Sequence, residues 1–162
     1  MEYDEPTRLI LHQIKFEKKP WLFEIYLDLM QKRYPAFPLN HYEMMIPVPL
    51  DSGREQKRGF NQAVMIAELI KRVNSSPQVP IKKFIKKTKK TMPQSQLRRN
   101  QRLTNLNGAF KLEGTDEVSG KNILLIDDIF TTGSTINECA RILKEHGAER
   151  VDFFTIARSN SL

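Results

Sequence analysis

The sequence has a single cysteine, Cys139, among its 162 residues. One thiol excludes an internal disulfide framework, and it excludes a zinc site built from four cysteines. No run approaches about 18 consecutive apolar residues, so no segment is predicted to span a membrane. The first five residues are mostly acidic and lack an apolar stretch, which argues against a secretory signal peptide. We therefore expect a cytoplasmic protein.

Acidic residues are missing from one long segment. The net charge is +7, from 26 basic and 19 acidic residues. Residues 82–102, the basic segment, contain nine basic residues and no acid, which leaves 17 basic and 19 acidic residues elsewhere, a net of −2. The nine are Lys82, Lys83, Lys86, Lys87, Lys89, Lys90, Arg98, Arg99 and Arg102. This segment either contacts a polyanion or is a solvated loop extended by self-repulsion.

Length and composition indicate one globular domain. Hydrophobic residues make up 40% and charged residues 28% of the sequence, values typical of a folded protein of this size. Helical periodicity occurs twice within residues 5–33, before a proline-containing linker at 34–38. We predict an N-terminal helical hood over residues 1–40, in which Trp21, Phe23 and Tyr26 pack, and a core over residues 41–162.

The core alternates between predicted strands and helices. Short apolar runs predict strands at 44–48, 123–126 and 151–157, with weaker candidates at 81–87 and 108–112. Apolar residues at helical spacing predict two helices, one from Phe60 to Ile70 and one from Ile136 to Leu143, with Gly147 at the left-handed end of the second. The strand–helix–strand order predicts a right-handed βαβ unit. The fold class is therefore α/β, with a mostly parallel sheet flanked by helices.

The most informative stretch follows the predicted strand at 123–126. Asp127 and Asp128 come directly after that strand, and ligands of parallel sheets bind beyond the carboxyl ends of the strands. A helix N-terminus then offers unpaired N–H groups to a phosphate, while the carboxylates accept hydrogen bonds from sugar hydroxyls. The loop before that helix consists of Thr131, Thr132, Gly133, Ser134 and Thr135. Because Gly133 lets the backbone approach closely, these features predict a site for a phosphorylated sugar.

Two other phosphate-binding motifs do not match this stretch. A P-loop requires lysine after its last glycine, whereas Gly133 is followed by Ser134. A dinucleotide-binding fingerprint requires three spaced glycines after the strand, and only Gly133 is present. The remaining alternative is a capped helix in which residues 131–134 only end the strand.

Residues 123–135 resemble the phosphoribosyl pyrophosphate (PRPP) loop of type I phosphoribosyltransferases. Three further stretches are similar to the ComF family, the competence-associated proteins of that superfamily. They are Pro47 to Leu50 with Arg54 and Arg58 to Gln62, Gln96 to Phe110, and the start from Tyr3 to Phe16. Members of this family usually begin with a four-cysteine zinc module. This sequence lacks that module, so the resemblance implies no zinc function. The metal that it does imply, Mg²⁺, would be bound through PRPP and its own waters, with no direct protein ligand assigned.

The resemblance implies a role for each part of the site. Asp127 and Asp128 would be the catalytic pair that holds the ribose hydroxyls, and residues 131–135 would hold the 5′-phosphate. Residues 88–106 would form a mobile basic loop that closes over the site, and Mg²⁺ would be bound through the ligand. The segment that meets pyrophosphate would comprise Leu50, Asp51, Ser52, Gly53, Arg54 and Arg58.

The resemblance also implies a role in natural competence and DNA uptake, with PRPP, single-stranded DNA and a competence helicase as partners. Lysine and arginine contacts to the backbone supply most nonspecific nucleic-acid affinity. Two alternatives remain open: an active phosphoribosyltransferase of nucleotide metabolism, and a PRPP-sensing regulator without turnover. The nucleic-acid contacts would be Lys86, Lys87, Lys89, Lys90, Arg98, Arg99 and Arg102.

The motif from Arg58 to Gln62 has two interpretations. Phe60 is either the first core residue of its helix, with Asn61 as a helix cap, or Arg58 and Gln62 contact a phosphate or a base. Cys139 lies on the apolar face of its predicted helix. We interpret that thiol as structural, together with His12 and Trp21.

Overall fold

A computed structural model describes residues 9, 11–14, 20–24, 32, 39–74, 79–88, 106 and 108–158. The linker predicted at 34–38 lies outside these residues, as do most of the predicted hood and positions 89–105 and 107 of the predicted mobile loop. Within the hood, residues 11–14 and 23–24 are helical, in agreement with the predicted periodicity.

The described core contains five strands and three α-helices. In chain order they are β1 (Met44–Pro47), α1 (Ser52–Arg58), α2 (Gln62–Val73), β2 (Ile85–Lys87), β3 (Phe110–Leu112), β4 (Asn122–Phe130), α3 (Ser134–Glu145) and β5 (Arg150–Arg158). Short 3₁₀ turns occupy Pro20–Leu22, Leu39–His41 and Thr115–Glu117.

The main sheet is parallel, with β4 between β1 and β5. The pairing of β1 with β4 ends where Pro47 lies opposite Ile126, whereas β5 accompanies β4 to its last residue, Phe130, which lies opposite Arg158. β2 and β3 form a separate antiparallel pair, and Ile81 makes a parallel bridge to Met45 just before it. The prediction of an α/β fold with a mostly parallel sheet is therefore confirmed.

The two faces of β4 bury two apolar clusters, because successive strand residues point to opposite sides. Leu124 and Ile126 pack with residues of α2, and Ile123 and Leu125 pack with residues of α3. Leu11, Ile14 and Phe23 of the predicted hood belong to the α2 cluster. These three hood residues thus pack into the same core as the sheet.

Three local predictions differ from the structure. Trp21 is 62% exposed and does not pack, whereas Phe23 is 1% exposed as predicted. The helix predicted from Phe60 to Ile70 begins at Gln62 and excludes Phe60, because Asn61 forms its N-cap. β2 covers only the last three residues of the predicted strand at 81–87.

Candidate functional site

Asp127 and Asp128 lie inside β4, not after it as the sequence predicted. Their strand continues to Phe130 because β5 goes on pairing with it: Asp127 lies opposite Thr155. On the other side, β1 has ended, and the last backbone contact there runs from the Val48 N–H to the Ile126 carbonyl at 2.8 Å. The two acids therefore lie in the part of β4 that no longer pairs with β1 but still pairs with β5.

The two carboxylates act on different faces of the sheet. The charge of Asp127 contributes, after burial, to raising the pKa of the Cys139 thiol in α3, while Asp128 acts on Arg58 in α1. Asp127 Oδ1 also accepts a 2.8 Å hydrogen bond from the Asp128 N–H. Because successive side chains of a strand point to opposite faces of the sheet, Asp127 lies on the face covered by α3 and Asp128 on the opposite face.

The loop from Thr131 to Gly133 connects β4 directly to α3. Gly133 is the N-cap residue in the left-handed conformation, with φ +74°, and carries no side chain that could cap the helix. The hydroxyls of Thr132 and Ser134 lie 2.6 Å apart. Thr131 is exposed and Thr135 half-buried. This segment thus presents the N-terminus of a 12-residue helix beside clustered hydroxyls, as the phosphate-site prediction requires.

The segment Leu50 to Arg54 was predicted as a loop, but a short helix begins within it. Asp51 is the N-cap of α1, and its side chain accepts hydrogen bonds from the N–H groups of Gly53 and Arg54 at 3.0 and 3.2 Å. An aspartate in this position is a preferred N-cap. Leu50 and Asp51 therefore stay outside the helix, and Ser52 to Arg54 form its first turn.

Arg58, the last residue of α1, connects this helix to the acids of β4. Burial lowers the pKa of its guanidinium, and the charge of Asp128 partly opposes that shift. Arg58 Nη1 also donates a 3.3 Å hydrogen bond to Gln62 Oε1. Tertiary structure thus brings Asp128 to Arg58 and Gln62, from which the sequence separates it by more than sixty positions.

Asn61 fixes the helix that carries Gln62. Its Oδ1 accepts from the Ala63 N–H at 2.9 Å, and its Nδ2 donates to the Val48 carbonyl at 3.0 Å. The interpretation of Asn61 as a helix cap is therefore confirmed. The second hydrogen bond additionally connects the start of α2 to the residue that follows β1, which itself bonds to β4 one residue before Asp127.

In the described part of the basic segment, two lysines are paired with acidic residues from outside the segment. Lys82 Nζ lies 3.1 Å from Glu117, and Lys86 Nζ lies 2.8 Å from Glu113. Lys87 is half-buried, lies over the Phe110 ring at 5.7 Å, and has its pKa lowered by burial and then by Arg54. Lys89, Lys90, Arg98, Arg99 and Arg102 lie outside the described residues.

A cavity of about 240 Å³ separates the start of α1 from β2. Its walls include Pro49 and Leu50 on one side and Lys83, Lys86 and Lys87 on the other. The predicted pyrophosphate segment and the predicted nucleic-acid lysines therefore face the same space. Residues 127–135 do not line it.

Glu138 is a buried charged residue that the sequence analysis did not single out. It is 8% exposed, accepts a 2.9 Å hydrogen bond from the Gly108 N–H, and binds Arg141 through two nitrogens at 2.9 and 3.0 Å. It joins α3 to the chain entering β3. The i,i+3 spacing of Glu138 and Arg141 is the signal that could have identified this pair.

Within the described part of the chain, no three histidine, cysteine or carboxylate side chains are grouped as metal ligands. None of the helices there combines the length and the apolar character needed to cross a bilayer. Cys139 is fully buried among apolar neighbours, which confirms its structural interpretation.

Comparison with known proteins places these features in a family. The phosphoribosyl transferase domain matches residues 61–162. Competence protein F of Haemophilus influenzae is 30% identical over 162 residues, a match that covers 97% of this chain and 70% of that protein. The DNA utilization protein YhgH of Escherichia coli O157:H7 is 30% identical over 163 residues, with coverage of 98% and 70%.

Among solved structures, the purine phosphoribosyltransferase from Pyrococcus horikoshii Ot3 matches 83% of this chain and 68% of its own, with 14% identity and a TM-score of 0.42. The family match covers well over half of the chain and includes both acids, the threonine-rich loop and α3. The chain therefore belongs to the phosphoribosyl transferase domain family and is related, along nearly its whole length, to the ComF-type competence proteins, of which it matches the C-terminal part.

Proposed function

We propose that this protein binds PRPP with Mg²⁺ and supports DNA uptake or utilization, contacting single-stranded DNA through its basic segment. The observation that carries the proposal is the arrangement around the end of β4. A carboxylate pair and a helix N-terminus with glycine at its N-cap follow the point where β1 ends and β5 continues, and one acid of the pair, Asp128, acts electrostatically on the half-buried Arg58. Such an arrangement offers acceptors to sugar hydroxyls and donors to phosphates in one place.

Each part of the site has a distinct task in this proposal. The N–H groups at the start of α3, with the hydroxyls of Thr132 and Ser134, bind the 5′-phosphate. Asp128, on the face that carries Arg58, accepts hydrogen bonds from the ribose hydroxyls. Asp127 fixes the backbone through its bond to the Asp128 N–H. The first turn of α1 and Arg58 meet the pyrophosphate.

Magnesium fits the donor set of this region, because carboxylate and hydroxyl oxygens are the ligands it prefers and it retains several waters. When bound, it would neutralise charge on the pyrophosphate oxygens. Arg54, Arg58 and Lys87 add positive charge from the chain itself.

The DNA component of the proposal is supported by the two relatives, whose names are competence protein F and DNA utilization protein. Lys83, Lys86 and Lys87 line part of a cavity whose other walls include the apolar side chains of Leu50, Val64 and Ile85 and the carboxylate of Glu55. Positive charge beside apolar surface suits single strands, which present both phosphates and unstacked bases.

The PRPP component is tested by thermal unfolding with and without Mg-PRPP. A ligand bound only by the folded state stabilises it by about 2.7 kcal/mol at a concentration of one hundred times Kd. Asp127→Asn with Asp128→Asn should remove most of the increase in melting temperature, because the sugar hydroxyls lose the charged acceptor Asp128 and the Asp128 N–H loses its charged acceptor, Asp127. An equal increase in this double variant contradicts the assignment.

The matched control neutralises another adjacent acid pair, Asp116→Asn with Glu117→Gln, which is exposed in the turn before β4. It should retain the full increase in melting temperature. Loss of the increase in both double variants would indicate a general charge effect, not a sugar site.

Phosphoribosyl transfer is the second candidate function, favoured by membership of the transferase family. In this reaction the bond between C1 of the ribose and the pyrophosphate oxygen breaks, the pyrophosphate leaves with the bonding electrons, and an acceptor nitrogen bonds to C1. Incubation with Mg-PRPP and a panel of bases tests it through base-dependent pyrophosphate release. No release above the base-free rate with any base favours a PRPP-binding protein without turnover.

A further inference from the structure

Gln62 has a buried amide nitrogen without a hydrogen-bond partner. The residue opens α2 and is 2% exposed. Its Oε1 accepts from Arg58 Nη1 at 3.3 Å, but within the described part of the chain its Nε2 has no acceptor. Buried polar groups are nearly always hydrogen-bonded, and an exception requires a specific explanation.

The neighbours of Gln62 exclude a poorly ordered helix end as the explanation. Asn61 caps α2 and bonds to the Val48 carbonyl, so the backbone at the start of the helix is held on both sides. Gly59 adopts φ +84° and ends α1, which places Arg58 and Gln62 on either side of a defined turn. The Gln62 amide is therefore held in place through its Oε1, while its Nε2 donates no hydrogen bond within the described residues.

The surroundings of Arg58 indicate which kind of ligand group the Gln62 Nε2 donor would contact. The Arg58 guanidinium is half-buried, and its pKa is lowered by burial, raised by the charge of Asp128 and lowered by the charge of Arg54. An arginine remains protonated in such surroundings and presents several N–H groups in a fixed plane. Gln62 holds one of these nitrogens, which orients the rest of the guanidinium next to Asp128.

We propose that Gln62 is a positioning residue for the pyrophosphate end of the ligand. Its Oε1 orients the Arg58 guanidinium, and its Nε2 gains a phosphate oxygen as acceptor when the ligand binds. The proposal rests on the function proposed above and deepens it. A phosphate fits better than a base, because Arg58 and the free end of Gln62 both donate, and a phosphate offers only acceptors.

The test uses three probes, Mg-pyrophosphate, Mg-PRPP and ribose 5-phosphate, measured by calorimetry on the full chain. Gln62→Met keeps the side-chain volume and removes both polar atoms. We expect it to weaken pyrophosphate and PRPP binding about tenfold, which corresponds to about 1.4 kcal/mol. Ribose 5-phosphate affinity should change less than twofold, and the melting temperature without ligand should not fall.

Gln62→Glu separates the two ends of the amide. It keeps an acceptor for Arg58 but replaces the donor with a second acceptor, so pyrophosphate should bind more weakly than in Gln62→Met. Gln56→Met is the matched control, because Gln56 is an exposed glutamine on α1. This control should bind all three probes like the wild type.

A thermodynamic cycle with Arg58→Lys tests the coupling of the two residues. Lysine keeps the charge without the planar donor group, so Gln62→Met should have little further effect on pyrophosphate binding in that background. If Gln62→Met folds poorly, Gln62→Glu takes its place in the cycle, so the coupling between residues 58 and 62 is still measured.

The outcomes separate the two proposals. Unchanged binding of all probes by the Gln62 variants, or equal weakening of all three, overturns the positioning role. If the wild type binds pyrophosphate but no sugar phosphate, the proposed function fails while the Arg58–Gln62 assignment stands. If the wild type binds none of the probes, both are overturned.

Discussion

The ring of Phe130 covers the Cα of Gly133: a Cβ added at position 133 would lie 3.0 Å from Phe130 Cζ and 3.1 Å from Cε2. The ring has little room to move. It stacks on Phe153 with centroids 5.3 Å apart, and the Arg158 guanidinium lies 5.8 Å from its centre. Gly133 is therefore required by its neighbours as well as by its φ of +74°.

Gly133→Val should lower both stability and PRPP affinity. The sequence predicts close approach of a phosphate to this glycine, and the structure adds two further costs for a side chain there: left-handed strain of about 1–2 kcal/mol and a close contact with Phe130. We expect the free energy of unfolding to fall by more than the strain alone. Denaturant unfolding and Mg-PRPP titration of the same purified variant measure the two effects.

Gly120 supplies the control for backbone strain. Its φ is +67°, and a Cβ there would meet nothing within 4 Å. Gly120→Ala should therefore lose only the strain energy and keep its PRPP affinity, while Gly133→Ala loses more stability and binds PRPP more weakly. Equal effects of the two alanine variants on both measurements would contradict a specific role for Gly133.

The basic segment should contribute to the salt dependence of DNA binding. Each phosphate neutralised on a single strand adds about 0.7 to the slope of log affinity against log salt. Replacing Lys86, Lys87, Lys89 and Lys90 with glutamine should weaken binding of all sequences alike and flatten that slope. Because Lys86 already pairs with Glu113, in an exposed pair of small net strength, we expect Lys86→Gln alone to have less effect than Lys87→Gln.

The control replaces Lys121 and Lys144 with glutamine. Both are exposed and lie far from the carboxyl end of β4: Lys121 directly precedes β4, and Lys144 is near the end of α3. Fluorescence anisotropy with mixed-sequence oligonucleotides at several salt concentrations, with and without Mg-PRPP, measures the slopes. If the control lowers the slope by as much per lysine replaced as the four-lysine variant does, DNA binding depends on net charge alone.

Glu138 should stabilise the fold above its unfolded pKa. The hydrogen bonds from Arg141 lower its folded pKa from the ordinary value of 4.5, so its contribution is present at neutral pH and is lost as pH falls through the folded pKa. Glu138→Gln should lower the free energy of unfolding at pH 7 by about 1.5–3 kcal/mol, the usual range for bonds to a charged group, and reduce the loss on acidification. Glu145→Gln, at an exposed partner of the same arginine, should change stability by less than about 1 kcal/mol.

Tyr42 should give stability that is lost at alkaline pH. Its hydroxyl donates a 2.7 Å hydrogen bond to Asp152, and burial together with this bond raises its pKa to about 12. The folded state therefore holds this proton more tightly than the unfolded state, and the contribution is lost as pH rises from about 10 to about 12. Tyr42→Phe should lower stability by about 0.5–1.5 kcal/mol at pH 8. The difference from the wild type should shrink in unfolding curves measured toward pH 12.

Short-range patterns in the sequence were sufficient for much of this fold. The apolar run at 123–126 predicted a strand buried on both faces, and the residues found there are fully buried. The periodicity of Ile136, Cys139 and Leu143 predicted the buried face of α3. Gly147, with φ +86°, follows the helix as predicted. These features depend on neighbours a few positions apart, so side-chain size and spacing determine them.

Tertiary structure alone decided where β4 ends and what surrounds its acids. The apolar run stops at Ile126, but hydrogen bonds from β5 extend the strand four residues further. The nine-to-zero charge imbalance was also a property of the sequence only, since Glu113 and Glu117 lie outside the basic segment and pair with its lysines in space. Asp128 acts on Arg58 because β1 ends opposite Ile126, and the segment that follows β1 carries Arg58 toward the unpaired side of the last residues of β4. Local propensity carries no information about such contacts, because they depend on how distant segments pack.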